Sequence, residues 1–136
     1  MRWQRELLKI MQNNRDKKLA LVIDTSSKQT DHQVIDNVIK FVGEMNPETQ
    51  LIQADFKIRS IQNIKEASEI KYFNHGKSSY TEVFEWANEQ EIETLLYVTD
   101  VTGFLYDELE IKPFVYWLIP DEYKPKVPFG RLLNVV

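Results

Sequence analysis

Two acids stand where apolar runs stop. Asp24 follows Leu19-Ala20-Leu21-Val22-Ile23, and Asp100 follows the short run Thr94–Thr99. Hydroxyl groups gather near the same points: Thr25, Ser26 and Ser27 come directly after Asp24, and Ser78-Ser79 close a polar loop that begins at Asn74. In a parallel α/β sheet, polar residues just beyond the carboxyl ends of the strands converge on one rim, and ligands bind there where the strand order reverses. If the two runs are neighbouring strands, Asp24 and Asp100 share a crevice, and the Ser78-Ser79 loop at a helix start joins them. A plainer reading covers the same residues. The Asp-Thr-Ser-Ser run can cap a following helix, Ser78 or Ser79 can cap another, and Thr99-Asp100 can make an Asx-turn.

Other chemistries lack their parts. The 136 residues include no Cys, which removes disulfides and every thiolate-held zinc or iron–sulfur site. The two His, His32 and His75, form no His-Glu-x-x-His pair, and no Gly-x-Ser-x-Gly elbow, phosphate-loop or dinucleotide fingerprint is present. A nucleophilic Ser26 or Ser27 would need a positioned base, and neither His has a motif context that supplies one. A receiver or phosphatase domain with Asp24 as phosphate acceptor would need an acidic pair after the first strand, which is missing. With 17 basic against 21 acidic residues the net charge is −4, so neither nucleic acid nor an anionic membrane is expected as a partner. The longest apolar runs, Leu19–Ile23 and Phe114–Ile119, fall far short of the ~20 residues of a membrane span. Nothing after Met1-Arg2-Trp3 resembles a secretory signal, so a cytoplasmic location is expected.

The elements that must position these residues follow from periodicity. Trp3, Leu7, Leu8, Ile10 and Met11 recur at helical spacing and predict a short amphipathic helix whose apolar side needs a surface to cover. Leu19–Ile23 reads as a fully buried central strand. Val34, Val38, Phe41, Val42 and Met45 predict a helix capped by Thr30 or Asp31 and ended by Asn46-Pro47. Strands are expected at Gln50–Phe56, Lys57–Ile64, Thr94–Thr99, Phe114–Ile119 and Leu132–Val136. Tyr80, Val83, Phe84 and Ala87 predict a helix from about Ser79 to Gln90, capped by one of the two serines. Val101–Glu110 reads as irregular, with a helical turn at Leu105–Leu109. Residues 1–18 are expected to form a helix and linker, and 19–136 one α/β domain, a Rossmann-like three-layer sandwich with a mostly parallel central sheet.

Taken in order, these residues resemble a family. Asp24-Thr25-Ser26-Ser27-Lys28 is similar to the Asp-x-Ser-x-Ser opening of von Willebrand factor A (VWA) domains, which build a metal-ion-dependent adhesion site at the sheet rim. The chain as a whole resembles the C-terminal VWA-like domain of bacterial proteins described as metallopeptidases. The resemblance runs through Leu51-Ile52-Gln53-Ala54-Asp55, Val83-Phe84-Glu85-Trp86, Leu96-Tyr97-Val98-Thr99-Asp100, Tyr116-Trp117-Leu118-Ile119 and Pro128-Phe129-Gly130-Arg131.

The resemblance implies a divalent ion of the magnesium or manganese kind, held by Asp24, Ser26, Ser78 and Asp100, a set of hard oxygen donors. Two positions depart from the family pattern. Lys28 stands in place of the second Ser, and Ser79 stands where the family loop usually has an Asp. An added ammonium and a lost carboxylate both weaken a cation site. Lys28 could itself bring its charge to Asp24 and Asp100. The expectation is therefore a degenerate site with weak Mg²⁺ or Mn²⁺ binding or none. The zinc motif of the longer relatives is missing, so a protein-binding or scaffold role is expected ahead of catalysis. By family resemblance the partner would be a MoxR-type AAA+ ATPase. The alternative is a metal-dependent hydrolase using Asp24 and Asp100.

Overall fold

A computed structural model of the chain describes residues 2–26, 31–67, 69–73 and 77–136. Lys28, Ser27, Thr30 and His75 therefore lie outside the described residues. The elements are α1 (Arg2–Asn13), β1 (Leu19–Asp24), α2 (His32–Met45), β2 (Gln50–Ala54), β3 (Ile58–Asn63), α3 (Thr81–Glu89), β4 (Thr94–Val98), β5 (Phe114–Ile119) and β6 (Arg131–Asn134).

One six-stranded sheet has the order β3-β2-β1-β4-β5-β6. β3 alone is antiparallel, forming a hairpin with β2, and all other pairings are parallel. The strand order reverses at β1, which has β2 on one side and β4 on the other. This is the expected α/β sandwich, and the reversal brings the carboxyl ends of β1 and β4 together.

The central strands β1 and β4 are buried along their whole length because both faces of the sheet are covered there. Along β1, Leu19, Leu21 and Ile23 enter one core with Trp3, Leu7 and Met11 of α1 and Ile35, Val38 and Val42 of α2. Ala20 and Val22 face the opposite core with Val83, Phe84 and Ala87 of α3. The amphipathic first helix thus covers the same face as α2, and Trp3 meets Phe41 edge-on at 5.9 Å. The second core is aromatic: Tyr80, Tyr97, Phe84 and Trp117 meet at centroid distances of 4.9–6.2 Å. No helix among the described residues is long and apolar enough to cross a membrane.

Three local expectations are refined. α2 is capped by Asp31, whose carboxylate accepts from the Gln33 N–H, and it ends at Asn46. α3 starts at Thr81 without any serine cap, because Ser79 is drawn into a parallel bridge with Phe104 and Ser78 is used elsewhere. Leu105–Leu109 makes no helix. It holds one turn, closed by the Leu109 N–H onto the Tyr106 carbonyl.

Candidate functional site

Asp24 is the last residue of β1, and its carboxylate is buried at the rim. Oδ1 accepts from the Ser26 backbone N–H at 3.0 Å. Oδ2 accepts from the Ser78 hydroxyl at 3.0 Å and from the Thr99 hydroxyl at 2.6 Å. The Ser26 side chain adds a further hydrogen bond. These donors favour the charged form, but burial outweighs them and raises the carboxyl above its ordinary value of 3.8.

The other residues of the crevice arrive from β4 and its loop. Thr99 follows β4 and is buried. Asp100 lines the same crevice as Asp24, Ser26 and Thr99, with Ile35, Val98 and Pro120 as apolar walls. The two acids share a crevice because β1 and β4 are paired. Yet Asp100 also makes its Asx-turn: Oδ1 accepts from both the N–H and the hydroxyl of Thr102, at 3.0 and 2.6 Å. Both readings of Asp100 are therefore present in one side chain.

Thr99 and Tyr80 were not singled out from the sequence. Thr99 Oγ1 lies 2.9 Å from Tyr80 Oη and accepts the Val101 N–H at 3.2 Å. Tyr80 Oη in turn accepts the Gly103 N–H at 2.9 Å. Burial pushes the Tyr80 hydroxyl well above the ordinary phenol range, so it stays a protonated donor. Thr99 could have been marked as the one hydroxyl between an apolar run and an acid. Tyr80 could not, because its helical spacing with Val83, Phe84 and Ala87 accounts for the residue without reference to its hydroxyl. The loop beyond is strained. Val101 has φ 64, and a β-branched residue in the left-handed region costs about 1–2 kcal/mol.

A third acid reaches the rim from the strand on the other side of β1. Asp55, directly after β2, is wholly buried. It takes a bidentate pair from Arg59, at 3.0 and 2.8 Å, and the Lys57 N–H at 3.2 Å. The guanidinium lies 5.1 Å from the Phe56 ring and 4.7 Å from the Phe73 ring. Its backbone carbonyl receives the Ser79 N–H, which anchors the loop that delivers Ser78 to Asp24.

Asp24, Ser26 and Ser78 meet at bonding distance, with Asp100 across the crevice. All are hard oxygen donors, so their chemistry fits a magnesium-type cation. The space fits less well. The crevice measures about 10 Å³, close to the smallest volume that holds one water. Magnesium keeps several waters and sheds them reluctantly. Among the described residues no group of three or more His, Cys, Asp or Glu converges in a metal-holding cluster.

A family model described as VWA-like domain (DUF2201) matches residues 19–136, and the chain belongs to that family. Its match begins at Leu19, the first residue of β1, while α1 lies before it. A search of curated proteins and a search of solved structures gave no match.

Proposed function

We propose that this VWA-like domain is a non-catalytic protein-binding or scaffold module with a degenerate, weak or absent magnesium-type site at the sheet rim. One observation carries the reading: both oxygens of Asp24 are already taken by internal neutral donors, in a crevice with room for about one water. The Ser78 and Thr99 hydroxyls point their protons at Asp24 and so satisfy this carboxylate within the protein. A cation that did bind would be held by Asp24, Ser26 and Ser78, with Asp100 opposite, and would supply a positive charge able to bridge to a carboxylate on a partner. Lys28 is the candidate substitute for that charge. The partner suggested by family resemblance is a MoxR-type AAA+ ATPase in the cytoplasm.

The raised Asp24 carboxyl favours one other reading, since perturbed acids cluster at active sites. In it, Asp24 and Asp100 serve a metal-dependent hydrolase. Calorimetric titration with Mg²⁺ and Mn²⁺ addresses both. The module reading expects weak or no heat. Micromolar binding abolished by Asp24→Ala, with metal-dependent hydrolysis of a peptide or phosphoester that the same substitution removes, would establish the enzyme instead. Capture of a partner that is lost on Asp24→Ala or Lys28→Ala is the positive result for the module.

A further inference from the structure

The hydrogen bonds around Thr99 admit only one direction. Its single proton is committed to Asp24 Oδ2 at 2.6 Å, so the hydroxyl must accept from Tyr80 rather than donate to it. Tyr80 Oη, having given its proton to Thr99, accepts the Gly103 N–H. Gly103, Tyr80 and Thr99 thus form a relay with every proton pointing toward Asp24, and its terminal acceptor is a charge.

A second arm joins the same two places. The Ser78 hydroxyl donates to Asp24 Oδ2, and the Ser78 carbonyl accepts the Phe104 N–H at 2.9 Å. The Tyr80 N–H donates to the Phe104 carbonyl at 2.7 Å, which closes the ring. The fit is tight: a Cβ on Gly103 would stand 2.5 Å from the Tyr80 ring and 2.9 Å from Ser78 Oγ. The segment so held contains Asp100, the left-handed Val101 and Phe104. Phe104 is 64% exposed, more than any other large apolar side chain described.

We propose that Tyr80 is a positioning residue that ties the rim loop Asp100–Phe104, and with it the exposed Phe104 side chain, to the negative charge of Asp24. Without the charge on Asp24 the Thr99 proton is no longer fixed on Oδ2, the Tyr80–Thr99 bond loses its set direction, and the Tyr80 oxygen holds the Gly103 N–H less strongly, while the strain at Val101 favours departure from the held form. What the loosened loop would contact rests on the partner-binding reading above. The tie itself does not, and its test uses neither metal nor partner.

The test is amide hydrogen exchange, residue by residue, on the full chain and on Asp24→Asn and Tyr80→Phe. The tie predicts that Asp24→Asn speeds exchange at Val101, Gly103 and Phe104 at least tenfold, with Ile52 and Leu96 in the sheet unchanged. Tyr80→Phe should do the same at Gly103 while Asp24 remains charged. Two outcomes overturn the proposal. In one, Gly103 exchange in Asp24→Asn stays within twofold of the parent although Tyr80→Phe raises it, so the loop is held by Tyr80 without reference to Asp24. In the other, exchange rises equally at Ile52 and Leu96, so the substitution loosens the whole domain.

Discussion

Asp24 and Asp55 sit at the ends of adjacent parallel strands, both buried, and they are satisfied in opposite ways. Asp55 has a guanidinium in bidentate contact, set between two phenylalanine rings. Among the described residues Asp24 has hydroxyls and a backbone N–H, all neutral, and burial raises its carboxyl. A buried charge matched by a fixed cation belongs to the architecture, because the pair leaves little for a newcomer to gain. A buried charge held only by neutral donors still attracts a positive group. The difference separates a structural acid, which fastens the Ser78 loop, from the acid on which a site can be built.

The largest test of that contrast removes the fixed cation. Arg59→Met should take the bidentate charged partner from the wholly buried Asp55 carboxylate, with the Lys57 N–H remaining among its contacts, and give the largest loss of stability of this series, read by urea unfolding. Gly103→Ala probes the other acid through its ring of contacts. Its Cβ overlaps the Tyr80 ring, and a loss of about 2 kcal/mol is expected, with a change in near-ultraviolet dichroism from Tyr80 and Trp117. Thr99→Val deletes one donor to a charged acceptor and should cost about 1.5 kcal/mol, with Thr99→Ser restoring most of it.

The pH dependence of Asp24 tests its half of the contrast. A carboxyl raised in the folded state binds its proton more tightly there than in the unfolded chain. Its contribution is therefore favourable at low pH and is lost as pH rises from about 3.8 through the raised value. Asp24→Asn should then gain on the parent in melting temperature as pH rises across that window. A variant that instead falls further behind the parent as pH rises would mean that the neutral donors outweigh burial. The smallest effect is expected one strand away. Tyr97 has a buried hydroxyl with no hydrogen-bond partner among the described residues, so Tyr97→Phe should be within about 0.5 kcal/mol of neutral or slightly stabilising.

Much of this contrast could be read in advance on one side only. The continuous apolar runs of β1 and β4, each closed by an acid, marked Asp24 and Asp100 as rim residues, and strand pairing brings them together. Ser78 was assigned between a cap and a site, and the structure directs its hydroxyl to Asp24. Asp55 carried no such mark. Its importance depends on Arg59 returning across a hairpin turn and on a bulge near Ala54 that shifts the register, neither of which periodicity reports. Tyr80 was hidden because an amphipathic helix explains its ring, whereas its function lies in the one polar atom at the ring's tip. Such tips are fixed by tertiary neighbours that a linear pattern does not name.

The helix that precedes the family match has a mechanical meaning. Trp3, Leu7 and Met11 share one core with Val135 and Leu118, and α1 touches both α2 and β6. Residues from opposite ends of the described chain thus close the same face of the sheet, like the two halves of a clasp. The two halves share this shielding, so residues 2–13 and 131–135 should open and close as one cooperative unit. Force applied to either segment would load the contacts that the two share.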